Sequence, residues 1–492
     1  LPSVNKRAIK APTVNPGAFR VLNPELRHFD RVLFVICPTG AYCRENRCQS
    51  YFEPNLIPTM RPPLEECEAA GAIRALGASH GVIDAPALGL SDEELKTRIR
   101  FFRPDLLLLT VTFGSLEADL AWARELKTLL PGIPLGLRGA PCYVQAEAIL
   151  DRNPSVDFCL HGDYELIFQS IIELGLEGSP GVTYRKSDGT LCKGGLAYAE
   201  KLDELPLPDR SGIEAHRYTV RGLRRPQATI RVQRGCPFPC TYCLVHAVSG
   251  NRARHRSAGS IIKEMQQLLC DGIRYFYLRA ETFTLDRQWA LNLCREIAQR
   301  CPGVRWVTTT RVELVDEELL IAMRAAGCYG VSFGLDSASS EISKRIKKPL
   351  RQEEAKRIFA LCRRHGILSL AYLMIGFIWD TDETLAEAAR FAHTIRPDLL
   401  TIHYAHPYPG TEYHRQVLES ISSEVTISPR AQAEPAIPIS QLSPSQIHER
   451  GKRILNRHRR RLCVIYSLAC GLIRFYVSDG VSKRGVFRRC EI

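Results

Sequence analysis

The chain reads as an α/β protein in two successive halves, a doubly wound parallel sheet and then a partial barrel, followed by a helical, basic C-terminal region. Three observations predict this. Strand and helix patterns alternate over residues 30–177 and again, with longer helices, over 225–415. Residues 178–224 between them are rich in Gly, Pro and charge. Small and polar residues gather where the strands end, the side on which such sheets keep ligands.

Length and composition fit this plan. With 492 residues there is room for two or three cores, and 45% apolar with 24% charged residues is ordinary for a globular chain. The net charge of +13 is uneven. Residues 445–492 hold twelve Lys and Arg against three acidic residues, so the rest is only mildly basic. That argues against a broad nucleic-acid surface and for a basic tail. The 18 cysteines are scattered, with no signal peptide ahead of them, which predicts a reducing, cytoplasmic setting with mostly free thiols.

Residues 1–29 lack apolar periodicity and read as an irregular lead-in. Strands follow at 31–37, 81–84, 105–112, 134–137 and 156–160. The helices lie at 64–78, 91–101, about 115–130, 143–152 and 163–175, with a capping box from Ser91 to Glu94. Five strands alternating with helices form a Rossmann-like sheet over 30–177. The strands end at Cys37-Pro38-Thr39-Gly40, Thr110–Ser115, Arg138–Cys142 and His161–Glu165. Such small and hydroxylated exits let a flat, amide-rimmed ligand approach the backbone. After the first strand, Cys43 and Cys48 flank Arg44 and Arg47. A second metal site on the cysteine pair is one reading, though no further ligands cluster nearby, and a plain loop is another. A substrate loop, with the two arginines gripping a carboxylate or phosphate, is a third.

Residues 178–224 read as a linker carrying a hairpin at 181–189, turned at Asp188-Gly189, and the extended Leu202–Asp209. From 225 to 415, strands at 227–233, 273–279, 304–310, 329–334, 368–375 and 399–404 alternate with helices at 257–271, 286–300, 316–326, 352–365 and 382–395. Six such units make a TIM-like (β/α)6 partial barrel.

The first of these strands delivers Arg234-Gly235-Cys236-Pro237-Phe238-Pro239-Cys240-Thr241-Tyr242-Cys243. Three thiolates at this spacing can hold three irons of a 4Fe–4S cluster and leave the fourth iron open to a small molecule. A zinc knuckle completed by His246 is the alternative. The motif resembles that of the radical S-adenosylmethionine (SAM) superfamily. Resemblance implies that Cys236, Cys240 and Cys243 ligate the cluster and that the open iron binds SAM, which is cleaved to a 5′-deoxyadenosyl radical. It further implies SAM contacts at Glu281, Asp336, Ser337 and Ile375-Gly376, with Tyr242 packing nearby. Tyr408-Pro409-Gly410-Thr411 resembles the family's closure after strand six.

The first half resembles the cobalamin-binding domain that precedes the barrel in many of these enzymes. Resemblance implies cobalamin contacts at Thr110, Thr112, Ser115, Gly139, Gly162 and Glu165. The Asp-x-His-x-x-Gly motif that supplies a cobalt ligand elsewhere is absent, and a Gly-Gly-x-His exit is replaced by Gly139-Ala140-Pro141-Cys142. A cofactor-free version of the same fold is the alternative.

In residues 416–492 a basic helix is expected from Ser443, followed by the apolar run Leu462–Val477 interrupted by Arg474. It reads as a cap on the barrel or as an interfacial helix meeting anionic lipid. The function implied is a cobalamin-dependent radical SAM methyltransferase of the P-methylase-like and anaerobic-cyclase branch. It would act on an unactivated carbon or a phosphinate-type centre of a small molecule or lipid, with an external flavodoxin- or ferredoxin-type electron donor. A radical cyclase or ring-contraction enzyme is the alternative within the class, and a non-catalytic iron–sulfur or zinc protein the alternative outside it.

Overall fold

The computed structural model describes residues 19–40, 42, 44–47, 61–220, 225–421, 425, 427–430, 432–435 and 442–460. Cys43, Cys48, the apolar run 462–477 and most of the lead-in lie outside the described residues. The chain forms two compact units. The first comprises 1–52, 60–218 and 244–255, and the second 53–59, 219–243 and 256–492.

The first unit holds a seven-stranded sheet in the order β2-β1-β3-β4-β5-β6-β7. Its strands are β1 (Arg31–Ile36), β2 (Ser79–Asp84), β3 (Leu106–Thr110), β4 (Leu135–Arg138), β5 (Phe158–Leu160), β6 (Val182–Arg185) and β7 (Leu191–Lys193). Strands β1 to β5 pair in parallel. Successive residues of β1 and β3 feed opposite cores. Leu33, Val35, Leu107 and Leu109 join one cluster, and Val32, Phe34, Leu106 and Leu108 the other. Helices cover both faces, which is why these strands read as unbroken apolar runs. The order reverses between β1 and β3, the switch point beside which doubly wound sheets bind ligands. The expected Ser91–Glu94 capping box is formed and starts the helix Asp92–Phe102.

The hairpin expected in the linker belongs to this sheet. Strand β6 pairs antiparallel with β5, and β7 with β6. The extended segment is docked here as well. The Asp209 amide donates to the Cys67 carbonyl at 2.8 Å, and its carboxylate meets Arg74 and His80, each at 3.0 Å. The Leu207 carbonyl lies so near Gly71 that a Cβ there would stand 2.2 Å from it. The first unit therefore runs on to Tyr218, beyond the expected boundary at 177.

In the second unit, β8 (Thr219–Val220), β9 (Arg225–Arg231), β12 (Tyr275–Arg279), β13 (Arg305–Thr310), β14 (Cys328–Asp336), β15 (Leu368–Ile375) and β16 (Leu399–Tyr404) form one sheet in the order β16-β15-β14-β13-β12-β9-β8. The short strands β10 (Gln233–Arg234) and β11 (Arg254–His255) lie outside it. From β9 to β16 every pairing is parallel, and helices fill the intervals, so the sheet is the expected half barrel. Strand alternation separates its two faces. Phe333, Ala371, Leu373, Ile402 and Tyr404 are buried, while Ser332, Tyr372, Met374 and His403 alternate with them. The helix Pro444–Arg459 opens with a Ser443–Gln446 capping box, buries Ile447 and Ile454, and packs on β16 and on the helix Asp382–Ile395. Among the described residues no helix is long and apolar enough to cross a membrane.

Candidate active site at the strand ends of the barrel

Strand β9 leads through β10 into the cysteine loop. Gly235 takes φ 81°, a left-handed turn that suits glycine, and Pro237 and Pro239 stiffen the loop beyond it. The loop is tied to the end of β12 and to the helices Ser340–Arg345 and Glu412–Ser420. The Gln233 amide donates to the Gly235 carbonyl at 3.3 Å and accepts from the Thr282 amide, just past β12, at 3.2 Å. The Thr241 amide donates to the Ile346 carbonyl at 3.1 Å, and the Tyr413 amide to the Thr241 carbonyl at 2.8 Å. The three cysteines are half-buried.

The residues around the sulfurs form a polar rim. Cys236 Sγ lies 3.8 Å from the Thr282 hydroxyl. Burial pushes its thiol up, and the nearby Cys240 and Glu281 add to this. Arg311, next after β13, donates to Cys240 Sγ at 3.6 Å and lies over the Phe238 ring at 4.0 Å. Asp336 takes φ 56° beside a register shift in the β14–β15 pairing, and it pairs with Lys348. A bulge of this kind re-aims a side chain at the end of a strand. Burial holds Tyr242 in its neutral form, with Asp336 contributing, and its ring meets Phe377 edge-on at 6.1 Å. Burial also pushes His403 down to about 4, so it is neutral at physiological pH, 5.5 Å from the Tyr372 ring.

Of the residues expected to contact SAM, Tyr242, Glu281, Asp336, Ser337 and Gly376 stand at the loop or at strand ends of this sheet. Ile375 differs. It is buried on the outer face, where its Cδ1 lies against Gly451 of the C-terminal helix, and its carbonyl accepts from the Ala405 amide. Only its backbone borders the strand ends. Arg311, Lys348 and Asp380 touch the candidate residues Cys240, Asp336 and Gly376, although no motif in the sequence marks them. Position directly after β13 was the one available signal for Arg311.

Three thiols on one loop with a guanidinium on one sulfur suit a thiolate-bound iron–sulfur cluster. A zinc knuckle needs four ligands converging on one ion. Among the described residues no group of three or more His, Cys, Asp or Glu, the three loop cysteines included, is placed to hold a single ion. His246 lies on the short helix Val245–Ser249, directly after the loop.

In the first unit, the candidate cobalamin contacts are bound into a buried polar network. The Thr110 hydroxyl donates to Glu66 and accepts from Arg138 Nε at 3.0 Å, and Arg138 also pairs with Glu66. Thr112 and Ser115 share a 2.8 Å hydrogen bond, and Ser115 donates to Asp119 at 2.6 Å. Glu165 is buried in the first turn of the helix Tyr164–Leu174. Gly139 and Gly162 take φ 136° and 137°, and a Cβ would stand 2.0 Å from the Val111 carbonyl or 2.5 Å from the Ala197 carbonyl. Their need for glycine is met inside the protein. The hydroxyls and glycines expected to contact cobalamin are thus engaged within the protein, which leaves backbone as what these exits could offer a ligand.

Arg44 and Arg47 are not an open anion grip. Arg44 donates to the Thr110 carbonyl and Thr39 hydroxyl and pairs with Asp119 at 3.4 Å, while Arg47 pairs with Glu45 at 3.3 Å. Burial of the Asp119 carboxylate makes the Arg44 contact structural.

Residues 230–392 match the model of the Radical SAM superfamily. An uncharacterised methyltransferase of Pyrococcus horikoshii is 25% identical, over 77% of this chain and 82% of its own length. The anaerobic magnesium-protoporphyrin IX monomethyl ester cyclase of Rubrivivax gelatinosus is 26% identical, over 73% of this chain and 67% of its own. Among solved structures, the radical SAM methyltransferase TsrM of Kitasatospora setae, with cobalamin and a [4Fe–4S] cluster bound, superposes with a TM-score of 0.61 at 18% identity. That match covers 81% of this chain and 76% of TsrM, and it likens the folds.

Proposed function

We propose that this chain, which carries a radical SAM domain, is a cobalamin-dependent radical SAM methyltransferase acting on a small molecule. The observation that carries the reading is the cysteine loop, hydrogen-bonded to Thr282 beside Glu281 and to Ile346 and Tyr413. Cys236, Cys240 and Cys243 would hold the cluster. Glu281, Asp336, Ser337 and the Gly376 backbone would bind SAM, and Tyr242 would pack beside it. When bound, the cluster supplies the electron that cleaves SAM, and cobalamin carries the methyl group. The chain's own part is to orient SAM and substrate and to exclude water. The small exits at Thr110–Ser115, Gly139 and Gly162–Glu165 would seat cobalamin, chiefly through backbone. An external electron donor of flavodoxin or ferredoxin type is needed for the reduction.

A second reading, a radical cyclase, is supported by the likeness to the anaerobic cyclase. A lipid-surface role would rest on residues 462–477, because the preceding helix already buries its apolar face.

Anaerobically reconstituted, reduced protein is expected to form 5′-deoxyadenosine from SAM, and Cys240→Ala to lower its yield at least a hundredfold. Label from methyl-labelled SAM should appear in the product. Deoxyadenosine without transferred label would favour the cyclase. Absence of both would overturn the enzyme reading.

A further inference from the structure

We propose that Arg311 raises the reduction potential of a cluster held by Cys236, Cys240 and Cys243, by fixing a positive charge on the Cys240 sulfur. This rests on the radical reading above. Arg311 is 7% exposed and held on three sides. Its guanidinium lies 4.0 Å over the Phe238 ring, its Nε donates to Glu313, and its Nη1 points to Cys240 Sγ at 3.6 Å. Phe238 stands between the first two cysteines, so the stack fixes the cation to the loop itself. The fork divides the work: Nε faces the carboxylate and Nη1 the sulfur.

The charge is permanent, because a guanidinium keeps its proton at any working pH. Lys348, a second cation at this rim, is paired with Asp336 beside it. Glu313 offsets Arg311 less, since its side chain is 29% exposed against 9% for Arg311 and water screens it.

The step concerned is the gain of one electron by the cluster from a low-potential donor protein or dithionite. No bond to Arg311 forms or breaks. The cluster and its thiolates become more negative, and both the nearby cation and the N–H···S bond favour that form. An arginine serving only to brace the loop through Glu313 and Phe238 would leave the potential unmoved when its charge is removed.

The test is an EPR-monitored redox titration of the full chain, reconstituted anaerobically with iron and sulfide, without SAM or substrate. Arg311→Gln should be tenfold less reduced than the unmodified protein at a fixed potential, about 59 mV lower for a one-electron couple. Arg311→Lys, which keeps the charge without the fork, should recover part of this. Glu313→Gln should move the potential the other way. Equal potentials for Arg311→Gln and the unmodified protein overturn the proposal. Should Arg311→Gln hold no cluster, Arg311→Lys and Glu313→Gln decide, and both titrating with the unmodified protein overturns it. Failure of the unmodified protein to assemble a four-iron cluster, read from its iron and sulfide content, overturns the radical reading and this inference with it.

Discussion

Asp380 illustrates how a residue outside the cysteine motif shapes the site. One carboxylate oxygen accepts from the amides of Gly376 at 2.7 Å and Phe377 at 2.9 Å, and the other from the Thr384 hydroxyl at 2.8 Å. It therefore fixes the turn whose backbone is proposed to meet SAM. Burial outweighs these bonds and pushes its pKa up to about 6. A raised carboxyl pKa means that the native state holds a proton the unfolded chain releases. Stability should therefore fall as pH rises from about 4 to about 6 and level off above that, a loss of about 3 kcal/mol. Asp380→Asn should remove that slope, read from urea midpoints across the range. Residues of this kind are hard to find in sequence. Asp380 looks like one more helix-start acid, and Arg311 lies 71 residues from the sulfur it meets. The cysteines were legible because their chemistry requires close spacing. Gly139 and Gly162 were legible as special positions, but the space their missing side chains leave is taken by neighbouring carbonyls.

Among elements, those with strong local patterning were foreseen, and those made by distant pairing were not. The helix Asp382–Ile395 has the expected bounds because Thr381 caps it and its apolar face repeats regularly. The hairpin was visible, but its membership of the first sheet depends on β5, more than twenty residues earlier. The C-terminal helix was expected, and its docking explains a glycine inside it. A Cβ on Gly451 would stand 2.4 Å from the Tyr404 hydroxyl and 3.1 Å from Ile375. Gly451→Ala gains about 1 kcal/mol of helix propensity, and the clash should cost about 1–3 kcal/mol. The substitution should lower the denaturant midpoint. In a Tyr404→Phe background, where the nearest clashing oxygen is gone, the same change should cost less.

On the scale of the whole molecule, the division into two α/β units was legible from the repeated alternation, but the path of the chain between them was not. Residues 244–255 belong to the first unit although they come after the third cysteine. Arg254 there pairs with Asp163 at 2.6 Å and donates to the Ala199 carbonyl at 2.6 Å, while the Tyr198 hydroxyl donates to the Ala247 carbonyl. Removing one partner of a buried pair costs about 3–5 kcal/mol. Arg254→Ala should therefore destabilise the first unit, with faster amide exchange around residues 197–205, while exchange in β13 to β16 stays unchanged. The same path limits how such a protein can be recombined. A single crossover between Tyr218 and Thr219 would bring in a new barrel together with a foreign segment 244–255, leaving Asp163 without its arginine. A working chimera needs a junction at each change of unit, and one of them falls on the peptide bond between Cys243 and Leu244. One change of unit thus falls directly beside a candidate cluster ligand.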